Sequence, residues 1–458
     1  MADVKKLITL DALSRYHSKV LGKFKEVKDE VSGKADLQQV KSLSDDVWET
    51  HYMYGVEWDS ETANPDVTRI GNMDLHRSLP IHSLMRGCLL NDDGEVVKYL
   101  DENDWTGEQT DGSMGQVMVE LPEFYWKFEE EGNIQRVKMS LKPISTYERV
   151  PKRYVSAYEA TVDRTTTTLA SVKSEDVRYR GGNNNAAWDE LAKSQLGTPA
   201  TSLSLTNFRA YARKRKAGEF HWNCMTWEIN KELYWLFVVE FATRNSQKAI
   251  NANLTSEGYR QGGLGSGVTN VNGTTWNAYN AYYPFVKCGY TDSLGNGTGD
   301  VALEVTDGTN TMTTSVPRYR GIENPFGHLW KWVDGVLIRV QSNADGGESQ
   351  VWKADDTEHY SSTSFDGYSF VGNEKRVNGY VKEIHFPELS CSELQNSSAE
   401  FYCDYTYCNI PESGTAIRGF LFGGSAHSGS AAGFVCSPSY NAPSFAYAYL
   451  GSRLCYME

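Results

Sequence analysis

Apolar residues at the start of the chain recur with the spacing of a coiled coil. With Leu10 at position a of a heptad, the other core positions of the frame are filled by Leu13, His17, Val20, Phe24, Val27 and Val31. The pattern breaks at Ser32 and Gly33 and resumes in a shifted frame. A seam this short is not stable as an isolated helix in water. Residues 1–50 are therefore predicted to form a coiled-coil helix, or else an amphipathic helix docked on its own chain.

Between residues 51 and 147 the apolar residues alternate in short runs separated by turn residues. Residues 91–94 (Asn-Asp-Asp-Gly) stand between two apolar runs and predict a hairpin. The run from Gln116 to Phe128 is a strand candidate that Pro122 interrupts. We therefore predict a β-rich domain over residues 51–147.

The third region, residues 148–458, mixes helical and extended patterns. The runs Trp227–Arg244 and Ser204–Arg215 have the period of a helix. Residues 251–310 are rich in Gly, Asn and Thr and predict long loops. Helices followed by long loops and short strands predict an α+β domain.

Composition narrows the classes of function. The 458-residue chain carries a formal net charge of −14, which argues against general nucleic-acid binding because that needs a positive face. The basic run at residues 209–216 predicts a solvated helix face. The longest strongly apolar run, Leu233–Val239, is far shorter than a membrane span. With neither a signal-peptide pattern nor paired cysteine spacing, we expect synthesis in a cytoplasm, no disulfides and no membrane partner.

A stretch near the carboxyl end, Gly419–Ser452, contains no Lys, Arg, Asp or Glu, although charged residues make up 23% of the chain. Tyr, Ser, Gly and Ala dominate it, and these residues are typical of rigid recognition surfaces. Alternation places Phe445, Tyr447 and Tyr449 on one face of a predicted strand. The stretch is therefore either a recognition surface or a core strand with its rings inward.

Four motifs resemble, in the same order, those of formylglycine-generating-enzyme-like domains, a branch of the C-type lectin fold. Residues 327–332 (GHLWKW) resemble that family's GNVWEW signature. Residues 154–160 resemble its opening strand, and the run Trp227–Arg244 resembles its long helix. Residues 423–425 (GGS) and 451–454 (GSRL) resemble its GGS…GFRL ending. The resemblance covers about 300 residues and implies a C-type lectin-like domain over residues 148–458.

Three residues of these motifs are expected to be structural. Trp330 and Trp332 are alternate residues that share one face of a strand, where we expect core packing beneath the binding surface. Arg453 is expected to hold the final strand through hydrogen bonds to backbone oxygens or carboxylates.

In that fold, the segment between GGS and GFRL is the part that diversity-generating retroelements diversify. Their adenine-directed mutagenesis never yields Lys, Glu, Gln, Met or Trp, and residues 425–450 contain none of these five types. The resemblance therefore implies a variable region over 425–450. Its candidate receptor-binding residues are Ala426, His427, Ser428, Cys436, Pro438, Tyr440, Phe445, Tyr447, Tyr449 and Leu450.

Known members of this group include tail-fibre receptor-binding proteins, and the whole chain resembles those of phages that infect gut Bacteroidales. The resemblance implies that residues 1–50 trimerise and attach to tail or baseplate proteins, and that residues 51–147 form a spacer. It places the protein at the tail-fibre tip of the virion, where residues 148–458 meet a bacterial surface glycan or protein. The alternative is a retroelement-diversified bacterial surface or effector protein of the same fold.

An oxidase of the formylglycine-generating type is the less expected alternative. The positions of that family's copper-binding cysteine pair hold Ser428 and Gly433, neither of which is a soft-metal ligand. Asp292, Asn296 and Asp300 lie in a Gly-rich stretch where calcium is conceivable, although their spacing is not that of an EF-hand. We therefore expect no catalytic residue and no cofactor, with calcium left open.

Overall fold

The computed structural model describes residues 18–23, 46–191, 193–250, 284–306 and 311–458. The chain divides into two compact units, residues 1–52 and 53–458. In the first unit, residues 18–23 and 46–52 are helical. The coiled coil stays a prediction, because most of its core positions lie outside the described residues, namely Leu10, Leu13, His17, Phe24, Val27 and Val31.

The second unit is a mixed α+β fold built mostly of strands, as the sequence predicts in general terms. Within the described residues its strands are β1 (Tyr54–Asp59), β2 (Thr68–Gly71), β3 (Arg86–Leu90), β4 (Val96–Tyr99), β5 (Gln116–Leu121), β6 (Phe124–Glu131), β7 (Ile134–Ser140), β8 (Glu148–Val150), β9 (Arg153–Ser156), β10 (Thr161–Asp163), β11 (Thr168–Ala170), β12 (Trp222–Cys224), β13 (Gly299–Thr306), β14 (Thr311–Tyr319), β15 (Ile322–Glu323), β16 (Trp330–Gln341), β17 (Ser349–Lys353), β18 (Ser369–Asn373), β19 (Gly379–Ile384), β20 (Cys391–Gln395), β21 (Tyr405–Cys408), β22 (Thr415–Phe422), β23 (Ser437–Ser439), β24 (Leu450–Gly451) and β25 (Leu454–Met457). Its α-helices are α1 (Met73–Ser78), α2 (Leu205–Arg213), α3 (Trp227–Phe241) and α4 (Ser246–Ile250).

The two predicted long helices are confirmed, and local chemistry sets their ends. The Ser204 hydroxyl accepts the N–H of Asn207 at the start of α2, and the Thr226 hydroxyl caps α3 in the same way. Helix α3 ends where Ala242 adopts a left-handed conformation. Twelve of the fifteen residues of α3 are buried, and the buried charges of Lys231 and Glu232 are paired with Glu388 and Arg153.

Two predictions about strands are confirmed and one is partly wrong. Strands β3 and β4 form the predicted hairpin, and the chain breaks between β5 and β6 at Pro122. The predicted loop over 251–310 is wrong for residues 299–306, which form β13 and pair with β14. Apolar residues alternate there at Val301 and Leu303, a strand signal that the surrounding Gly and Thr obscure. Residues 251–283 and 307–310 lie outside the described residues.

The predicted boundary between residues 51–147 and 148–458 does not separate two compact units. One six-stranded antiparallel sheet has the order β12-β25-β9-β5-β3-β4 and takes strands from both regions. Met118 of β5 pairs with Ser156 of β9, and the register continues to Leu121 and Arg153. Without this pairing both strands would carry unsatisfied backbone groups inside the protein, so the two regions fold as one body.

The predicted solvated face of the basic run 209–216 is wrong at Arg209. Its guanidinium is buried and makes two hydrogen bonds to the Asp334 carboxylate, with nitrogen–oxygen distances of 2.5 and 2.7 Å. Asp334 lies on β16, so this ion pair fixes α2 against that strand. A charge run in the sequence does not show which of its members meets a buried carboxylate.

Two further sheets position the segment of interest. The first has the order β18-β17-β16-β22, with β24 parallel to β16, and the second has the order β20-β19-β21-β23. Strands β23 and β24 both come from the uncharged stretch, so this stretch joins two sheets. The remaining sheets are β2-β1-β7-β6-β8, β13-β14-β15 and the pair β10-β11.

The expected role of Arg453 is confirmed. It lies just before β25, it is 1% exposed, and its guanidinium donates to the carbonyl oxygens of Ser156, Glu323 and Asn324. The start of the last strand is therefore joined to β9, to the end of β15 and to the residue that follows β15.

Candidate functional site

Backbone hydrogen bonds hold the uncharged stretch in place. Four backbone carbonyl oxygens of the stretch accept backbone N–H groups, with nitrogen–oxygen distances of 2.9–3.0 Å. Three of the donors lie outside the stretch, and the fourth is its first residue. The pairs, donor first, are Gly419 and Asn441, Leu205 and Pro443, Ser202 and Tyr447, and Trp330 and Tyr449. Such bonds do not depend on side-chain identity, so outward side chains in this stretch are free to differ without loss of the anchor.

Two side chains from outside the stretch support its first half. Gln247 of α4 donates to the carbonyl oxygens of Gly429 (2.9 Å) and Ala432 (2.6 Å). The buried carboxylate of Asp404 accepts the N–H of Val435 at 2.8 Å. Burial raises the pKa of Asp404 well above its usual range. The side chains of Gln247 and Asp404 thus hold the backbone of residues 429–435 in place.

Six of the ten predicted contact residues have accessible side chains. Tyr440, Phe445 and Tyr447 are exposed over 50%, 38% and 48% of their surface. His427 is also exposed, and Ser428 and Tyr449 are half-buried. At these exposures the Tyr440 and Tyr447 side chains are accessible to a ligand.

Three of the predicted contact residues are buried, and for them the prediction is wrong. Ala426 is 6% exposed, and Cys436 and Leu450 are completely buried. Cys436, just before β23, and Leu450, in β24, belong to the same core cluster as Trp330 and Trp332. Nothing is described for the side chain of the tenth residue, Pro438.

The predicted strand over residues 445–449 is also wrong, although its rings do lie side by side. These residues form no strand: the carbonyl of Tyr447 accepts two N–H groups, from Ser202 and from Leu450. The ring centroids of Phe445 and Tyr447 are 6.1 Å apart with planes 8° from parallel, and those of Tyr447 and Tyr449 are 4.8 Å apart. The segment presents an aromatic surface without the periodicity of a sheet.

A cleft of about 370 Å³ opens beside these rings. Its lining residues are Trp330, Tyr407, Leu421, Ser425, His427, Ser428, Tyr440, Asn441 and Tyr449. These lining residues, all from the described part of the chain, include four Tyr or Trp rings and no Lys, Arg, Asp or Glu. The volume lies in the range of sites that enclose small ligands or parts of larger ones.

Sequence reasoning did not name Tyr407, Leu421, Ser425 or Asn441 as contact residues, although Ser425 and Asn441 lie within the predicted variable region 425–450. The available signal was the alternation of Tyr405 and Tyr407 around Thr406, which resembles the alternation recognised at 445–449. The expected packing role of Trp330 is confirmed, since it is 9% exposed and lies in the core cluster while one surface of the ring meets the cleft.

Glu374 is a buried carboxyl group in contact with Ser439 of β23. Burial raises its pKa from 4.5 to about 7, and a hydrogen bond from Ser439 opposes that shift. Because the folded pKa lies above the unfolded value, the free energy of unfolding should fall as the pH rises from about 4.5 to 7. Above pH 7 this loss is complete.

We therefore expect Glu374→Gln to raise the free energy of unfolding at pH 8 by about 1–3 kcal/mol and to change it little at pH 4. The measurement is urea denaturation at both pH values, with the exposed Glu95→Gln as the matched control. An equal effect at the two pH values would mean that Glu374 does not titrate as a buried acid.

Two of the three residues considered as calcium ligands, Asp292 and Asn296, already make polar contacts within the protein. Asp292 accepts a hydrogen bond from Tyr158 (2.8 Å) and pairs with Lys173 (3.0 Å), and Asn296 accepts the N–H of Gly87 (2.8 Å). Within the described ranges, no group of three or more His, Cys, Asp or Glu residues is arranged to hold a metal ion. Calcium binding stays an open alternative.

No helix in the described part of the chain has the length and apolar character needed to cross a membrane. Comparison of the chain with protein-family models and with curated proteins gives no match.

Proposed function

We propose that this chain is a receptor-binding protein at the tail tip of a phage, and that it recognises a bacterial surface ligand through side chains of residues 425–450. One observation carries the proposal: Tyr440, Phe445 and Tyr447 are exposed on a backbone that hydrogen bonds fix in place. Large rings that are adjacent and exposed indicate a contact surface. Tyrosine supplies such contact area at a low cost in conformational entropy.

We also propose that the frame is the formylglycine-generating-enzyme-like branch of the C-type lectin fold. Its support is that the four motifs meet around the segment. The opening strand β9 pairs with the final strand β25, the helix α3 packs against β16, and the GHLWKW motif leads into β16. The GGS motif follows β22, the strand paired with β16.

The proposed mechanism is non-covalent recognition without a catalytic step. The exposed rings bury apolar area against the receptor, and each contributes on the order of 1–2 kcal/mol. The hydroxyl groups of Tyr440, Tyr447 and Ser428 form hydrogen bonds around them. Trimerisation through residues 1–50 joins several such sites on one particle, which strengthens attachment without new contacts.

The test is direct binding of the purified chain to host cells. We expect the full chain to be a trimer in light scattering, to bind saturably to phage-sensitive cells, and to bind weakly to receptor-deficient resistant cells. A chain without residues 1–50 is expected to be monomeric and to bind at least about tenfold more weakly, because avidity is lost. If the full chain binds sensitive and resistant cells equally well, the proposed function is wrong.

A further inference from the structure

A second group of aromatic rings continues the cleft beyond residues 425–450. Tyr405 and Tyr407 are alternate residues of β21 and share one face, and Tyr380 of β19 pairs directly with Tyr405. The ring centroids of Tyr380 and Tyr405 are 4.8 Å apart, those of Tyr405 and Tyr407 are 4.7 Å apart, and those of Tyr407 and Trp330 are 6.0 Å apart. All three tyrosines are half-buried, so each keeps an accessible surface.

The cleft therefore has two walls of different origin. One wall comes from the segment 425–450 and includes His427, Tyr440 and Tyr449. The other wall comes from β16, β21 and β22 and consists of Trp330, Tyr407 and Leu421. Substitutions confined to 425–450 would change the first wall and leave the second unchanged. A ligand feature that meets the second wall is then common to every variant.

The lining indicates the chemistry of that common feature. The rings of Trp330, Tyr407 and Tyr449 line the cleft beside the hydroxyl, amide and imidazole groups of the other lining residues. A sugar ring presents the matching pattern, with an apolar C–H face and hydroxyl groups at its edge. Lys and Arg are absent from the lining residues that the structure describes, and the chain carries a net charge of −14, so an anionic ligand is disfavoured.

A protein anchor fits this cleft less well. The anchors of protein interfaces are large side chains seated in closely packed, desolvated pockets. Here Leu421 is the one aliphatic residue in the described part of the lining, and polar groups from Ser425, Ser428 and Asn441 interrupt the apolar surface.

We propose that Tyr407, with Trp330 behind it, is a binding residue outside the variable segment, and that the cleft takes one residue of an uncharged cell-surface glycan. Tyr405 and Tyr380 extend the contact along the glycan chain. This inference rests on the proposed receptor-binding function and adds the ligand class and a fixed determinant to it.

The test uses the purified full chain and phage-sensitive cells treated in two ways. Periodate cleaves vicinal diols and so destroys glycan rings, whereas protease removes surface proteins. We expect periodate to reduce binding at least about tenfold and protease to leave it unchanged. We also expect the isolated neutral surface polysaccharide to compete with cells for the protein.

Variants of Tyr407 test the fixed wall. Tyr407→Ala and Tyr407→Leu are both expected to weaken binding about tenfold, because each removes the flat ring, and Tyr407→Leu keeps apolar volume in case the alanine variant is unstable. Tyr407→Phe keeps the ring and is expected to lose about two- to threefold. The matched control is Phe370→Ala, which removes a ring that is 50% exposed on β18 and is not among the cleft residues.

The possible results distinguish failure of the glycan and Tyr407 proposal from failure of the proposed receptor-binding function. If binding survives periodate and is lost after protease treatment, the receptor is a protein and not a glycan. The proposed receptor-binding function would then still hold. If the Tyr407→Leu and Phe370→Ala variants bind equally well, Tyr407 is not a binding residue. A wild-type chain that binds no sensitive cells would overturn the proposed function itself.

Discussion

Simultaneous replacement of Tyr440, Phe445 and Tyr447 by alanine is expected to reduce adsorption to host cells by about a hundredfold or more. Each ring contributes on the order of 1–2 kcal/mol, and 1.4 kcal/mol corresponds to a factor of ten in binding. Because the proposed particle presents several copies of the site, the loss is multiplied across them. The measurement is the adsorption rate of phage that carry the triple variant.

The same triple variant is expected to unfold with nearly the wild-type free energy, within about 1–2 kcal/mol. The three rings are 38–50% exposed, and the hydrogen bonds that hold the segment use backbone atoms, so little packing is lost. The matched control replaces three exposed apolar residues elsewhere, by Phe370→Ala, Val177→Ala and Leu191→Ala. It should leave adsorption unchanged. A large loss of stability in the ring variant would mean that the rings belong to the core.

Replacement of Arg453 by methionine is expected to lower the free energy of unfolding by about 3–5 kcal/mol. Methionine fills most of the volume but leaves three buried carbonyl oxygens, those of Ser156, Glu323 and Asn324, without their donor. It also removes a positive charge that lowers the pKa of the buried Glu159 carboxylate. The measurement is urea denaturation at neutral pH.

The control for Arg453→Met is Arg77→Met. The Arg77 side chain pairs with Asp74, but both side chains are highly exposed, at 77% and 83%. An exposed pair of this kind contributes little, so the control should change the free energy of unfolding by no more than about 0.5 kcal/mol. If the two variants proved equally stable, the three carbonyl groups would be satisfied in another way and Arg453 would not be what holds β25.

The sequence by itself determined the features that depend on neighbouring residues. The helical periods of Ser204–Arg215 and Trp227–Arg244 were enough to predict α2 and α3. Residues 91–94 were enough for the hairpin, and Pro122 for the break between β5 and β6. The absence of charge from Gly419 to Ser452 is likewise a property of the sequence alone. In each case the physical cause acts over a few residues.

Tertiary structure alone decided which side chains of that stretch face water. Cys436 and Leu450 belong to the same uncharged stretch as Tyr440 and Tyr447, yet the first two are buried and the last two are exposed. The difference arises because β23 and β24 add to strands from distant parts of the chain, and the donors to Pro443 and Tyr447 lie at residues 205 and 202.

The same reason explains the pairing of β5 with β9, the burial of Arg209 and the place of Tyr407 in the cleft. An alternating pattern defines two faces of a segment. Which face is covered depends on the strand or helix that arrives from elsewhere to satisfy its backbone and fill its apolar surface.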